Sequence, residues 1–322
     1  MTMLRAALGA VLIASAPAAQ AQAVQVDPAI PSYAKAGGVA GNLNAIGSDT
    51  LNNLMTQWNE GFRTLYPNVR IQVEGKGSST APPALIQGTA QLGPMSREMK
   101  SSEIDEFEKK FGYPPTQIRV AIDALAVYVH RDNPIDKLTL AQVDAIFSNT
   151  RKCGHPSSID TWGALGATGA HAPRPISLYG RNSASGTYGY FKDTALCKGD
   201  FRDTVKEQPG SASVVQGITE DRYGIGYSGI GYRTSGVKPL ALATKAGEPY
   251  HGVDAETVLS GKYPLARFLY LYVNKTPNKP LDPLVREFVR YVLSREGQEI
   301  VVKDGYLPLP APRVAQEHAR VD

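Results

Sequence analysis

QIRVAIDALAVYVHRDNP, residues 117–134, decides how this chain is divided. The run is apolar and rich in β-branched residues, so it reads as a strand. It is far longer than the usual five or six residues of a strand, and Asp123 interrupts its apolar face. A long extended segment with a polar break can leave one domain and enter another. ARFLYLYVNK, residues 266–275, has the same character and can make the return. Two crossings would give a discontinuous first domain, residues 24–122 with 262–322, and a continuous second one, residues 123–261. They would meet at a hinge with a cleft between them, where ligands commonly bind. The residues alone leave the alternative open that both runs are core strands of a single domain.

Around these runs, strand-like stretches at 43–46, 70–73, 175–179 and 223–227 alternate with helical patterns. The helical patterns cover 51–65, 83–87, 101–111, 140–147, 188–196, 211–220 and 282–293. This alternation predicts an α/β fold with helices on largely parallel sheets. Residues 24–43, rich in Pro, Gly and Ala, predict an irregular arm. The tail, 308–322, predicts a disordered or surface-bound end.

The first 23 residues read as a secretory signal. Arg5 supplies the positive region, residues 8–16 a short apolar core, and 19–21 and 21–23 are both Ala-x-Ala cleavage sites. The apolar core is too short for an ordinary membrane span. The expectation is a cleaved signal over 1–23 and a chain exported to a bacterial periplasm. There, Cys153 and Cys197 are permitted to form a disulfide. Lys and Arg number 34 against 30 Asp and Glu, a net +4. No basic run of five to eight residues occurs, which argues against nucleic acid as a partner. The five histidines lack metal-site spacing, so no metal or other cofactor is expected.

Three further stretches share one grammar: IGSDTLNNLMTQW (46–58), GKGSSTAPPALIQG (75–88) and GRNSASGTYGYF (180–191). Each passes from strand or turn, through Gly, Ser and Thr, into a helical pattern. A helix N-terminus exposes unpaired N–H groups and a partial positive charge, which suits an anion. Three such termini could converge on one small oxyanion. An enzyme reading finds little support. No G-x-S-x-G elbow is present, and the S-x-x-K pairs at Ser32/Lys35 and Ser235/Lys238 have no companion K-T-G. No catalytic residue is therefore assigned.

These motifs, taken in order, resemble those of the periplasmic phosphate-binding proteins, the substrate-binding components of phosphate ABC importers. GSDTLNNL resembles the family's opening turn, and GKGSSTAPPALIQG its second anion loop. LGPMSREMK (92–100) resembles a third segment, GRNSASGTYGYF the Arg-x-x-x-Ser-Gly-Thr signature, and YGIGYSGIGY (223–232) a later strand. The likeness runs from about 43 to 310. It implies a two-lobed periplasmic binding protein fold of type II, hinged on two crossover strands and closing on phosphate. It also implies delivery of phosphate to a membrane permease of an ABC importer, by a monomer.

Carried over residue by residue, the resemblance implies anion contacts from Ser48, Asp49 and Thr50, from Ser78, Ser79 and Thr80, from Ser96 and Arg97, and from Arg181, Ser185, Gly186 and Thr187. Two positions depart from part of the family: Arg97 stands where some members carry Asp, and Ser183 where some carry an acid. A carboxylate that accepts the anion's proton would favour phosphate over fully ionised sulfate. Asp49 is the first candidate for that acceptor and Asp123 the second. The same loops would also serve sulfate, molybdate or a small phosphorylated compound, or a phosphate-binding role in adhesion or signalling.

Overall fold

The computed structural model describes residues 24–322, so the signal expected over 1–23 lies outside the described residues. After an irregular arm come β1 (Gly41–Ile46), α1 (Asn52–Leu65), β2 (Val69–Glu74), α2 (Ala81–Gln87), β3 (Gly93–Met95) and α3 (Ser101–Phe111). The long strand β4 (Thr116–His130) leads out of this group. It is followed by β5 (Lys137–Thr139), α4 (Leu140–Phe147), β6 (Ser177–Arg181), α5 (Gly186–Thr194), β7 (Lys206–Gln208), α6 (Ser211–Glu220) and β8 (Gly224–Gly229). Next come β9 (Val237–Pro239), β10 (Ala241–Ala243) and α7 (Ala255–Leu259). The chain returns along β11 (Ala266–Val273) and ends in α8 (Pro283–Val292), α9 (Arg295–Lys303) and α10 (Ala311–Val321).

β4 is shared between two lobes. Residues 116–124 pair with β11, whereas Leu125–Val129 pair with β8. The main sheet therefore runs β3-β11-β4-β8-β6-β7, with β9 on the far end of β4. Its apolar residues divide in the same way. Ile118, Val120 and Ala121 join a core with α1, α8 and β11, while Ala124, Leu125, Val127 and Val129 join a second core with α4, α5 and β8. Tyr263 and Leu265 belong to the second core and Leu269 to the first, so the return passes between cores near Ala266. The result is a two-lobed α/β molecule with both connections at one place.

The sheet is mixed rather than largely parallel. β1 with β2, and β6 with β7 and β8, are parallel, but β4 is antiparallel to β11, β8 and β9. An outward and a return crossing run in opposite directions, so their pairing has to be antiparallel.

The tail, expected to be disordered or surface-bound, is an ordered helix bound on the first core. α10 starts on Pro310 and Pro312 and places Val314 and Val321, seven residues apart, on one buried face. Glu317 between them is fully buried and accepts from the Arg119 backbone N–H (3.2 Å) and its Nη1 (3.3 Å). The arm is irregular but docked: Ile30 is fully buried, and the Tyr33 hydroxyl donates to Glu287 at 2.8 Å. Cys153 and Cys197 are joined by a disulfide, which ties the segment after α4 to the end of α5. Among the described residues no helix is long and apolar enough to cross a membrane.

Candidate functional site

The three Ser/Thr-rich turns meet where the lobes face each other. Ser48 follows β1 in extended conformation, and its Oγ accepts from the Thr50 N–H, capping the short turn Asp49–Leu51 that opens into α1. Gly77, at φ +114°, turns the chain from β2 into the Ser78–Thr80 turn ahead of α2, a conformation that favours glycine. Ser96 ends β3. Hydrogen bonds from backbone N–H groups stitch the three turns together: Gly77 to the Gly47 carbonyl, Ser48 to the Pro94 carbonyl, and Ser96 to the Ser78 side-chain Oγ at 3.0 Å. From the opposite lobe, Ser185 caps α5 by accepting from the Thr187 and Tyr188 N–H groups.

Five buried hydroxyls thereby converge. Ser48 Oγ donates to Ser96 Oγ at 2.9 Å, and Ser78 Oγ meets Ser96 Oγ at 3.3 Å. Across the cleft, Thr187 Oγ1 meets Thr50 Oγ1 at 2.9 Å and Ser96 Oγ at 3.5 Å. None of the five residues exceeds 2% exposure. Hydroxyls can donate and accept, so a cluster of them can turn its protons outward to an oxyanion. Gly186 is part of this packing. A Cβ there would lie 2.2 Å from Ser78 Oγ and 2.8 Å from Ser96 Oγ, so only glycine allows the lobes so close.

Not every expected residue joins the cluster. The Arg97 guanidinium is occupied by Glu103 in a bidentate pair, both bonds 2.7 Å, with further bonds to the Glu98 carbonyl (2.9 Å) and Ser79 Oγ (3.2 Å). Its fork is thus turned to the first turn of α3 rather than to the hydroxyls. The Thr80 hydroxyl donates to the Gly77 carbonyl at 2.8 Å. Ser79 crosses the cleft through its backbone, donating to the Ala184 carbonyl at 3.1 Å.

Asp49 belongs to the first lobe but faces the second. Its Oδ2 accepts from the Ser211 N–H at 2.7 Å, capping α6, and lies 3.2 Å from Arg181 Nη1. The Tyr232 hydroxyl donates to the Asp49 carbonyl at 2.9 Å. Arg181 is 2% exposed and also reaches Ser211 Oγ (2.7 Å) and the Pro209 carbonyl (3.1 Å), while its buried Nε has no partner among the described residues. Burial holds the Arg181 pKa below its ordinary value, and Asp49 opposes that shift.

Asp123 is fully buried at the point where β4 changes partners. Its Oδ1 accepts from the Ile230 N–H at 3.0 Å, and its Oδ2 from Arg267 Nε (2.9 Å) and Nη2 (2.7 Å). Arg267 was not singled out in the sequence, yet it reaches the cluster. Nη2 donates to Thr187 Oγ1 at 3.0 Å and Nη1 to the Ser96 carbonyl at 2.9 Å. A signal for it existed: Asp123 and Arg267 each interrupt an apolar crossing strand, and the antiparallel register sets them directly opposite. Among the described residues, no group of three or more His, Cys, Asp or Glu is placed to hold a metal.

Comparison with known proteins gives concordant results. A family model described as a PBP superfamily domain matches residues 32–296. The phosphate-binding protein PstS of Pseudomonas aeruginosa is 60% identical over 305 residues, covering 95% of this chain and 94% of that protein. Among solved structures, a Clostridium perfringens protein with bound phosphate, ascribed to a phosphate ABC transporter, superposes with a TM-score of 0.69. Its identity is 24%, over 84% of this chain and 100% of the other. An ABC-type phosphate transport receptor from Vibrio cholerae superposes at 0.62, with 20% identity over 83% of this chain and 100% of the other. At these identities the two structures speak to the fold.

Proposed function

We propose, because the chain belongs to the PBP superfamily and within it to the family of the phosphate-binding protein PstS, that it captures inorganic phosphate between its lobes and delivers it to an ABC importer. One observation carries the reading: five buried hydroxyls from both lobes, Ser48, Thr50, Ser78, Ser96 and Thr187, converge on one point. The chain acts as a binding protein, not as an enzyme.

In this reading the hydroxyls rotate to donate to the oxyanion. The N–H groups at the starts of the Asp49–Leu51 turn and of α5 add their partial positive charge. The unpartnered Nε of Arg181 is the charge-assisted donor we assign to the anion, since a buried N–H without a partner costs about 1–3 kcal/mol. Asp49 Oδ1, which makes no hydrogen bond among the described residues, is the acceptor we assign to a proton on the anion. Asp123 is less suited, because both of its oxygens are already bonded. Ser185 and Gly186 shape the turn rather than supply side-chain donors.

The two crossings at β4 and before β11 form the hinge between the lobes, residues 24–122 with 262–322 and residues 123–261. Anion contacts made by both lobes favour the closed form, and the closed form is what a permease would recognise. We place this capture in the periplasm, by a monomer. The test is calorimetric titration of the chain from residue 24 onward with phosphate, and separately with sulfate, near pH 7 at fixed salt. Tight phosphate binding with negligible sulfate binding is expected. Equal binding of both, or of neither, refutes the assignment.

A further inference from the structure

We propose that Arg267, held in place by Asp123, is a further anion-binding residue of the cleft, and this rests on the phosphate reading above. Arg267 lies on the returning strand β11 and Asp123 on the outgoing strand β4, opposite each other in register. The pair is buried, with Asp123 fully enclosed and Arg267 at 6% exposure. A buried ion pair is weak as a stabilising device, because apolar residues of similar volume often serve as well or better. Its geometry points to another use.

The carboxylate stands behind, fixed by the Ile230 N–H, and the guanidinium stands in front, facing the hydroxyls. A guanidinium has five N–H groups. Arg267 spends two on Asp123, one on the Ser96 carbonyl and one on Thr187 Oγ1, so one remains without a partner among the described residues. Its contact inside the cluster is through Thr187 Oγ1, the atom that also meets Thr50 and Ser96. An oxyanion that inserts among these hydroxyls displaces Thr187 Oγ1 as the acceptor for Nη2 and lies within one hydrogen bond of the guanidinium.

Arg181 is fixed by Asp49 and Ser211. The two arginines then both hold the anion, each backed by an aspartate. Arg267 also lines a groove of about 470 Å³ between the lobes, together with Arg97, Tyr190 and Phe268. Its guanidinium stands 5.3 Å from the Tyr190 ring centroid. It thus sits between solvent and the cluster, where an entering anion meets it.

The experiment compares wild type, Arg267→Lys and the double variant Asp123→Asn/Arg267→Gln by phosphate calorimetry at pH 6 and pH 8, with thermal melting of each. The double variant keeps an amide pair and leaves no charge orphaned. A charge-assisted bond contributes about 1.5–3 kcal/mol, so the folded double variant should bind phosphate roughly 10- to 150-fold more weakly. The loss should be greater at pH 8, where the dianion predominates. Arg267→Lys keeps the charge and loses the fork, and should be about tenfold weaker.

A pair with only a structural role would leave affinity within twofold, or weaken it equally at both pH values; either outcome in a folded variant overturns the inference. If the double variant does not fold, Arg267→Lys decides: wild-type affinity refutes the proposal. The wild-type titration judges the functional reading separately, since a wild type that takes up no phosphate overturns that reading and this inference with it.

Discussion

Replacing Gly186 by alanine adds a single carbon at the closest approach of the two lobes. Gly186 is the first residue of α5 and has no positive φ, so alanine fits the helix. On its own that change is neutral to stabilising by about 0.4–1 kcal/mol. The closed molecule, however, has no room for it. The new Cβ would lie 2.8 Å from Ser78 Cβ as well as 2.2 Å from Ser78 Oγ. The hydroxyl can rotate away, but the Cβ cannot. Carbon atoms pack no closer than about 3.5 Å, so the lobes must part by roughly 0.7–1 Å. At that separation the 2.9 Å contact between Thr50 and Thr187 and the 3.5 Å contact between Ser96 and Thr187 are lost. Those contacts belong to the unliganded cluster; for the bound form, each of two or three anion donors set back by that distance loses about 1 kcal/mol. The expected sum is about 2–3 kcal/mol, or roughly 30- to 150-fold in phosphate affinity. Calorimetry gives the affinity, and thermal melting without ligand checks that the variant is folded. A Gly186→Ala protein that binds phosphate within twofold of wild type would refute the reasoning, because it would mean that the cleft does not close to this separation.

Other expectations concern charge and covalent ties. Asp49→Asn keeps an acceptor for the Ser211 N–H but removes the charge beside Arg181, and an amide can donate where the carboxylate accepted. Phosphate-over-sulfate preference should fall by at least about tenfold, and an unchanged ratio in parallel titrations would remove Asp49 from that role. Burial pushes the Asp304 carboxyl up to about 6, against the Gln57 amide that lowers it. A raised pKa means that the folded state binds its proton more tightly than the unfolded state does. Stability should therefore decline as pH rises from about 4 to about 6, and Asp304→Asn should flatten that decline in thermal melts at pH 4.5 and 7. The Cys153–Cys197 bond closes a sequence separation of 44 residues, for which loop entropy gives about 4 kcal/mol. The doubly Ala-substituted protein should melt roughly 10 °C lower; an unchanged midpoint would contradict this.

The two-lobed fold was legible because one strand is too long for one lobe and carries a charge at its midpoint. The convergence of the Ser/Thr turns was legible because capping residues and glycines repeat in the same order before each helix. What escaped depends on distant partners or on direction. Arg267 is an ordinary strand charge until the register sets it against Asp123. Arg97 follows Ser96, but Glu103, six residues on, lies at the first turn of α3 and takes its fork. Three hydroxyls in a row cannot all face one point, so of Ser78, Ser79 and Thr80 only Ser78 brings its hydroxyl to the cluster. The tail lacks a long apolar run, yet Val314 and Val321 share a helix face that becomes visible only once the first core is there to receive it. The parallel-sheet expectation failed for a topological reason, since a chain that leaves and returns at one hinge must run both ways.

The most direct test of the account is a crystal structure of the chain with arsenate, whose geometry copies phosphate and whose anomalous scattering locates it without ambiguity. The account requires one strong anomalous peak between the lobes, within hydrogen-bond distance of Ser48, Ser78, Ser96 and Thr187. A peak elsewhere, or none at saturating arsenate, would contradict it.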